Sequence, residues 1–300
     1  MRILPGPTRS NKLLAWSPCG RWLAAGGTGE GVTVWDTFAG TEGRRILHGT
    51  QGAVLLRFLP ESGVLFAAMR NGAWTWNPTD ESAAPVTLRR GGPTATDGGI
   101  HQFAMSASGH RCAQFVWRDG ARLLELCAFD GRGLELLNEY PPGEIGMFGP
   151  IVFRTETELF SVRDDTHFAR WTAETGARET PVSLLPMPPS NWAMSPDGER
   201  VAVAATAALH VAPHDGSAAV SLPTPAKTYR RGLAWSPCGR VLACGYGTTV
   251  QLLEADTLAE IRALDWGIGK PRALAFSPDG ARCAVSGDGG RGWVAVFDLD

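Results

Sequence analysis

Apolar residues in this chain come in short runs, each broken by a turn rich in Gly, Pro or Asp. The clearest run, Leu14-Ala15-Trp16, leads into Ser17-Pro18-Cys19-Gly20-Arg21. The same eight letters return at Leu233-Ala234-Trp235-Ser236-Pro237-Cys238-Gly239-Arg240. A third copy, Leu274-Ala275-Phe276-Ser277-Pro278-Asp279-Gly280-Ala281, differs at three positions. Each octet reads as a short strand entering a Ser-Pro-x-Gly turn, because Pro presets φ and Gly tolerates a positive φ at the turn's end. Identical octets in one chain indicate duplicated structural units.

With Trp16 as anchor, counterparts fall at Phe58, Met105, Phe153, Met194, Trp235 and Phe276, at intervals of 42, 47, 48, 41, 41 and 41 residues. A period just above forty, with several strands per period, is that of a propeller blade. Seven anchors therefore predict one all-β domain over residues 1–300, a seven-bladed β-propeller of four-stranded antiparallel blades. In the first unit the expected strands are Leu13–Ser17 (inner), Trp22–Ala25, Val32–Trp35 and Arg45–His48 (outer). Similar third strands end at Trp76, Trp171, Leu253 and Phe297, and the third unit (Phe103–Tyr140) and the fifth (Trp192–Leu222) diverge most. The last unit stops after Val294–Phe297 with no outer strand of its own. Arg2-Ile3-Leu4-Pro5-Gly6 resembles Arg45-Ile46-Leu47-His48-Gly49. Residues 2–5 are thus expected to complete the last blade and leave no orphan edge at the seam.

The repeated Ser-Pro-x-Gly turns at this period, with Trp35-Asp36 closing a third strand, resemble the WD-repeat β-propeller family. The resemblance extends over the whole chain and is strongest in the first, sixth and seventh units. It implies a rigid disc that serves as a platform for other macromolecules and has no chemistry of its own. The chain departs from the family pattern in two ways. The Gly-His dipeptide before the inner strand is absent, and His48-Gly49 is a reversed echo of it. The Asp expected ahead of the third-strand Trp survives only as Asp165, with Gly29, Arg70 and Gly247 at the equivalent places. The family's buried Asp-His-Ser-Trp network is therefore expected to be incomplete, leaving apolar packing to hold the blades. Lys is rare (Lys12, Lys227 and Lys270) and Arg abundant, which suits a GC-rich genome and a degenerate bacterial-type member.

Composition narrows the function. The 37 Gly and 21 Pro suit many short strands, and a net charge of -2 gives no bulk attraction to nucleic acid or membrane. The six Cys form no Cys-x-x-Cys pair, so reduced thiols in a cytoplasmic protein are expected. No apolar run is long enough to span a bilayer, and the N-terminus does not read as a signal peptide. His210 and His214 lie too far apart on a strand to share a metal. There is no Gly-x-Ser-x-Gly elbow, and Gly267-Ile268-Gly269-Lys270 is a fragment without the rest of a P-loop. The Asp164-Asp165 pair reads as a solvated turn. No catalytic residue, metal or cofactor is assigned.

The most informative charges precede the inner strands. Lys12, Arg231 and Arg272 each stand four residues before an anchor, in three units adjacent around a closed ring. Lys227, Lys270, Arg9, Tyr229 and Arg230 share the same connectors, and His101 takes the equivalent place in the third unit. Strand starts ring one mouth of the central channel, on the face opposite the Ser-Pro-x-Gly turns. The expected partner site is a basic arc of Lys12, Arg231, Arg272 and Lys270, flanked by Tyr229, Arg230 and Trp266. Such an arc suits an acidic or phosphorylated segment of a protein or peptide. The reading is a non-catalytic, monomeric interaction scaffold, not bound to membrane or nucleic acid. The alternatives are a lactone hydrolase-like or metal-dependent propeller enzyme, or a nucleic-acid-binding module using the same arc.

Overall fold

The computed structural model describes the chain apart from residues 7–10, 28–30, 41, 47–51, 71, 81, 91–99, 119, 141–150, 163–166, 173–181, 184–188, 216, 218, 226–227, 266, 268 and 288–291. Seven sheets, antiparallel apart from one added strand in the third, form a seven-bladed β-propeller. Each of the seven anchors, from Trp16 to Phe276, is the last residue of an inner strand. Blade 1 comprises Asn11–Trp16, Trp22–Gly27, Val32–Asp36 and Gly43–Ile46. Its outer strand begins two residues earlier than Arg45–His48, because Trp35 pairs with Gly43, where the missing side chain leaves room for the indole. Blade 6 comprises Arg230–Trp235, Val241–Tyr246, Thr249–Glu254 and Glu260–Asp265. Blade 7 comprises Pro271–Phe276, Arg282–Gly287, Val294–Asp298 and, from the other end of the chain, Arg2–Leu4.

That N-terminal strand closes the ring as expected. Arg2, Ile3 and Leu4 pair antiparallel with Val296, Ala295 and Val294. Leu4 is fully buried and packs with Trp16, Trp35, Val294 and Val296. Blade 3 carries a fifth strand that the period did not predict. Arg89–Arg90, in the connector from blade 2, runs parallel to the outer strand Gly133–Tyr140. The preceding Leu88 is buried with Phe66, Phe129 and Leu134, and so pulls the connector against the blade edge.

The Ser of each Ser-Pro-x-Gly turn has a structural task. The Ser17 hydroxyl accepts from the amide of Trp22, and the Gly20 amide donates to the Ser17 carbonyl, both at 2.9 Å. Ser195, Ser236 and Ser277 repeat this, as does Ser106 in blade 3, whose turn lacks the Pro. A buried Ser thus starts the second strand while satisfying an otherwise orphan donor. The x residue partners the same hydroxyl: Asp197 and Asp279 accept from it at 2.5 Å, whereas the sulfurs of Cys19 and Cys238 lie 3.3 Å away.

The core consists of seven apolar clusters, each shared by two neighbouring blades. Because both faces of a blade are covered, a second strand such as Trp22–Gly27 is apolar throughout and buried after its first residue. Packing carries the stability where the family's polar network is missing. In blade 4 the Trp171 indole donates to the Ser161 hydroxyl at 2.9 Å. The same place in blade 1 is Ala25, two residues beyond the cross-strand partner of Trp35. The buried Trp35 Nε1 accordingly has no hydrogen-bond partner among the described residues.

Polar staples cross several seams on the turn face. Arg282 of blade 7 donates to the Gly20 carbonyl of blade 1 at 2.8 Å and to the Thr37 hydroxyl at 3.1 Å, and its guanidinium lies over the Trp16 ring at 4.7 Å. Arg200 of blade 5 donates to the Gly239 carbonyl of blade 6 at 2.6 Å, pairs with Asp256 at 2.5 Å and lies over Trp235 at 4.9 Å. Arg154 of blade 4 reaches the Gly198 carbonyl of blade 5 at 3.0 Å, and Arg57 of blade 2 the Met105 carbonyl of blade 3 at 2.8 Å. Such charge-assisted bonds are stronger than neutral ones.

Candidate functional site

Lys12, Arg231 and Arg272 are each the second residue of an inner strand, in blades 1, 6 and 7. Lys12 and Lys270 are exposed, and Arg231 and Arg272 half-buried. Strand pairing slips where these cations sit. Register skips between Asn11 and Leu13, between Arg231 and Leu233, and between Pro271 and Ala273. A bulge re-aims the side chains around it, here at the mouth of the channel.

Three of the expected residues, Tyr229, Arg231 and Lys270, come together where blades 6 and 7 meet. Thr228, Tyr229, Arg231, Gly245, Gly247, Lys270 and Pro271 line a small solvent-open pocket. Tyr229 is 54% exposed, and the Arg231 guanidinium lies 5.5 Å from its ring centre. Such a contact holds the cation over an aromatic face while leaving its outer side open to an anion. The pocket exists because two backbones come unusually close. A Cβ on Gly245 would fall against the Arg231 carbonyl oxygen and 2.8 Å from Pro271 Cβ, so only Gly fits there.

Of the expected residues, Lys12, Arg230 and Arg272 do not line this pocket. Arg230 is a correction. It is only 4% exposed, and its guanidinium donates to Gln251 Oε1 at 2.5 Å and Thr224 Oγ1 at 3.2 Å while lying 4.7 Å from the Tyr246 ring centre. Successive strand residues point to opposite faces, so Arg230 and Arg231 lie on opposite sides of the blade. Trp266 lies outside the described residues, as do Arg9 and Lys227. His101 is the second residue of blade 3's inner strand. Thr228, Gly245, Gly247 and Pro271 were missed. Their signal was positional: all fall at the channel-mouth ends of the blade 6 and 7 strands or in the connectors beside them.

The other candidate chemistry resolves into local bonds. His210 Nδ1 meets the Ser221 hydroxyl at 2.7 Å, and burial lowers its pKa. His214 Nδ1 lies 3.5 Å from a Glu199 carboxylate oxygen. Among the described residues no three His, Cys, Asp or Glu side chains form a metal-binding group. No disulfide joins the cysteines, of which Cys19 and Cys238 are exposed. Among the described residues no helix is long and apolar enough to cross a membrane.

Comparison with known proteins agrees with this architecture. Residues 12–36, most of blade 1, match the family model "WD domain, G-beta repeat". No curated protein sequence matches the chain. Among solved structures, the β-propeller domain of Cps50 (Swd1) from Myceliophteria thermophila superposes with a TM-score of 0.76 at 13% identity, over 100% of this chain and 99% of that one. The fold is that of a seven-bladed β-propeller, and the WD-repeat resemblance read from the turns and from Trp35-Asp36 is matched in blade 1.

Proposed function

We propose that this chain is a non-catalytic, monomeric cytoplasmic scaffold that takes an acidic or phosphorylated segment of a partner protein at the channel mouth of blades 6, 7 and 1. Propellers of this kind generally act as protein-interaction scaffolds. The observation that supports the site is the pocket where Arg231, Lys270 and Tyr229 meet. It combines two cations with an exposed aromatic, the pairing that recognises a carboxylate or phosphate on a flexible segment. Lys12 and Arg272 extend the positive charge to the neighbouring inner strands.

The test is an Arg231→Ala, Lys270→Ala double variant, probed with a fluorescent peptide Asp-Glu-phosphoSer-Asp-Glu. Binding should weaken about tenfold, equivalent to about 1.4 kcal/mol, and the wild-type affinity should fall steeply with salt. The melting temperature should not move, because both side chains reach solvent. Equal binding by the variant and the wild type would refute the site.

A further inference from the structure

The seam between blades 6 and 7 is built differently from its neighbours on the turn face. The staple position is the residue five beyond the turn Ser. It is Arg200 in blade 5 and Arg282 in blade 7, but Val241 in blade 6. The aromatic over which those guanidinium groups lie is Trp235 or Trp16, and at this seam it is Phe276. The indoles of Trp16 and Trp235 also donate across their seams, to the carbonyls of Ala275 (3.1 Å) and Ala193 (3.0 Å). Phe276 has no such donor. An open cleft lies here, lined among others by Val241, Ile261, Phe276, Asp279, Gly280 and Asp300. Phe276 and Gly280 are partly exposed here, whereas Trp16, Trp235, Gly20 and Gly239 are buried.

The carbonyl and the carboxylate that receive Arg200 at the blade 5–6 seam have counterparts in the cleft, while Leu299 stands where Thr37 offers Arg282 a hydroxyl. Gly280 follows Ser-Pro-Asp as Gly239 follows Ser-Pro-Cys, and it offers the equivalent carbonyl. Asp300 matches Asp256, the carboxylate that pairs with Arg200. Each stands one residue after an amide that donates to the turn of its own blade: Ala255 to the Arg240 carbonyl and Leu299 to the Ala281 carbonyl. Val241 and the exposed Ile261 supply apolar walls. The lining also includes Arg240, one of the groups that lower the Cys238 pKa.

We infer that this cleft receives an arginine side chain presented by a partner protein, which completes in trans the staple that Arg200 and Arg282 make in cis. The guanidinium lies over Phe276, donates to the Gly280 carbonyl and pairs with Asp300. A planar fork with several donors fits this set, and an ammonium does not. The cleft lies on the face opposite the basic pocket, so this site stands independently of the proposal above.

The probe is the peptide acetyl-Leu-Arg-Leu-amide, with lysine and citrulline versions and free arginine alongside. Binding is followed by amide shifts in isotope-labelled full-length protein. The Arg peptide should move the resonances of Gly280 and Asp300 and bind at least about tenfold tighter than either substituted peptide. Asp300→Asn should weaken it with an unchanged melting temperature. Val241→Arg should abolish peptide binding and raise the melting temperature by about 2 °C. If Val241→Arg does not fold, Asp300→Asn and Phe276→Leu, each expected to weaken binding, carry the test. The inference fails if the Arg peptide moves nothing, if citrulline binds equally, or if Asp300→Asn or Val241→Arg binds as wild type does. Free arginine binding as tightly as the peptide would overturn the assignment to a partner protein.

Discussion

The seam between blades 7 and 1 and the seam between blades 6 and 7 start from nearly the same octet but differ in how they are closed. At the first, Arg282 ties two blades together through Gly20, Thr37 and the Trp16 ring, and the Trp16 indole returns a bond to Ala275. Leu4 fills the apolar layer beneath. At the second, Val241 and Phe276 stand where Arg and Trp would be, and the apolar layer reaches the surface through Val241, Phe276 and Leu299, all only partly buried. Three side chains therefore distinguish the sealed joint from the cleft, Arg282, Trp16 and Thr37 against Val241, Phe276 and Leu299, while the strands on either side keep the same pairing. In a repeat fold each interface contributes its own stability to the sum, so one can stay unsealed without unfolding the ring.

The comparison breaks most visibly by removing the staple. Arg282→Ala should cost about 2 kcal/mol, the usual loss for hydrogen bonds to a charged group with the acceptors left behind. Val241→Ala at the open seam should cost about 1 kcal/mol, for a partly buried pair of methyl groups. Urea denaturation of both variants checks the order; equal losses would mean the staple adds nothing. A smaller effect should sharpen the likeness. Phe276→Trp places an indole donor within reach of the Ala234 carbonyl and should gain about 0.5 kcal/mol. A loss of stability would show that the two seams differ in backbone spacing and not only in side chains. The smallest effect is chemical. At the open seam the hydroxyl of Ser236, then the Arg240 amide and guanidinium, lower the Cys238 pKa to about 7. Since the thiolate is the nucleophile, alkylation of Cys238 in a Cys19→Ser background should reach half its maximal rate near pH 7 and fall below it. Ser236→Ala should move that midpoint upward.

Much of this was readable in the chain because the octet encodes a turn whose every residue has a backbone task. The anchors sit at inner-strand ends because a large side chain there fills the gap between blades. Ring closure was legible in the likeness of Arg2-Ile3-Leu4 to Arg45-Ile46-Leu47. The fifth strand of blade 3 was not, since it depends on where Leu88 finds a tertiary pocket, which no local pattern specifies. Arg230 was misplaced by reading the Arg230-Arg231 doublet as one patch, when strand alternation already sends the two to opposite faces. The open cleft had a signal that went unused. The two identical octets diverge at the very next residue, Trp22 against Val241, and Trp22 packs into the layer shared with blade 2.

The pairing of Arg2 with Val296 also joins strands that stand at opposite ends of the ring in sequence. Loop-closure entropy grows only slowly with the length of the intervening chain, so three paired residues whose Leu4 is fully buried suffice to hold the seventh sheet together.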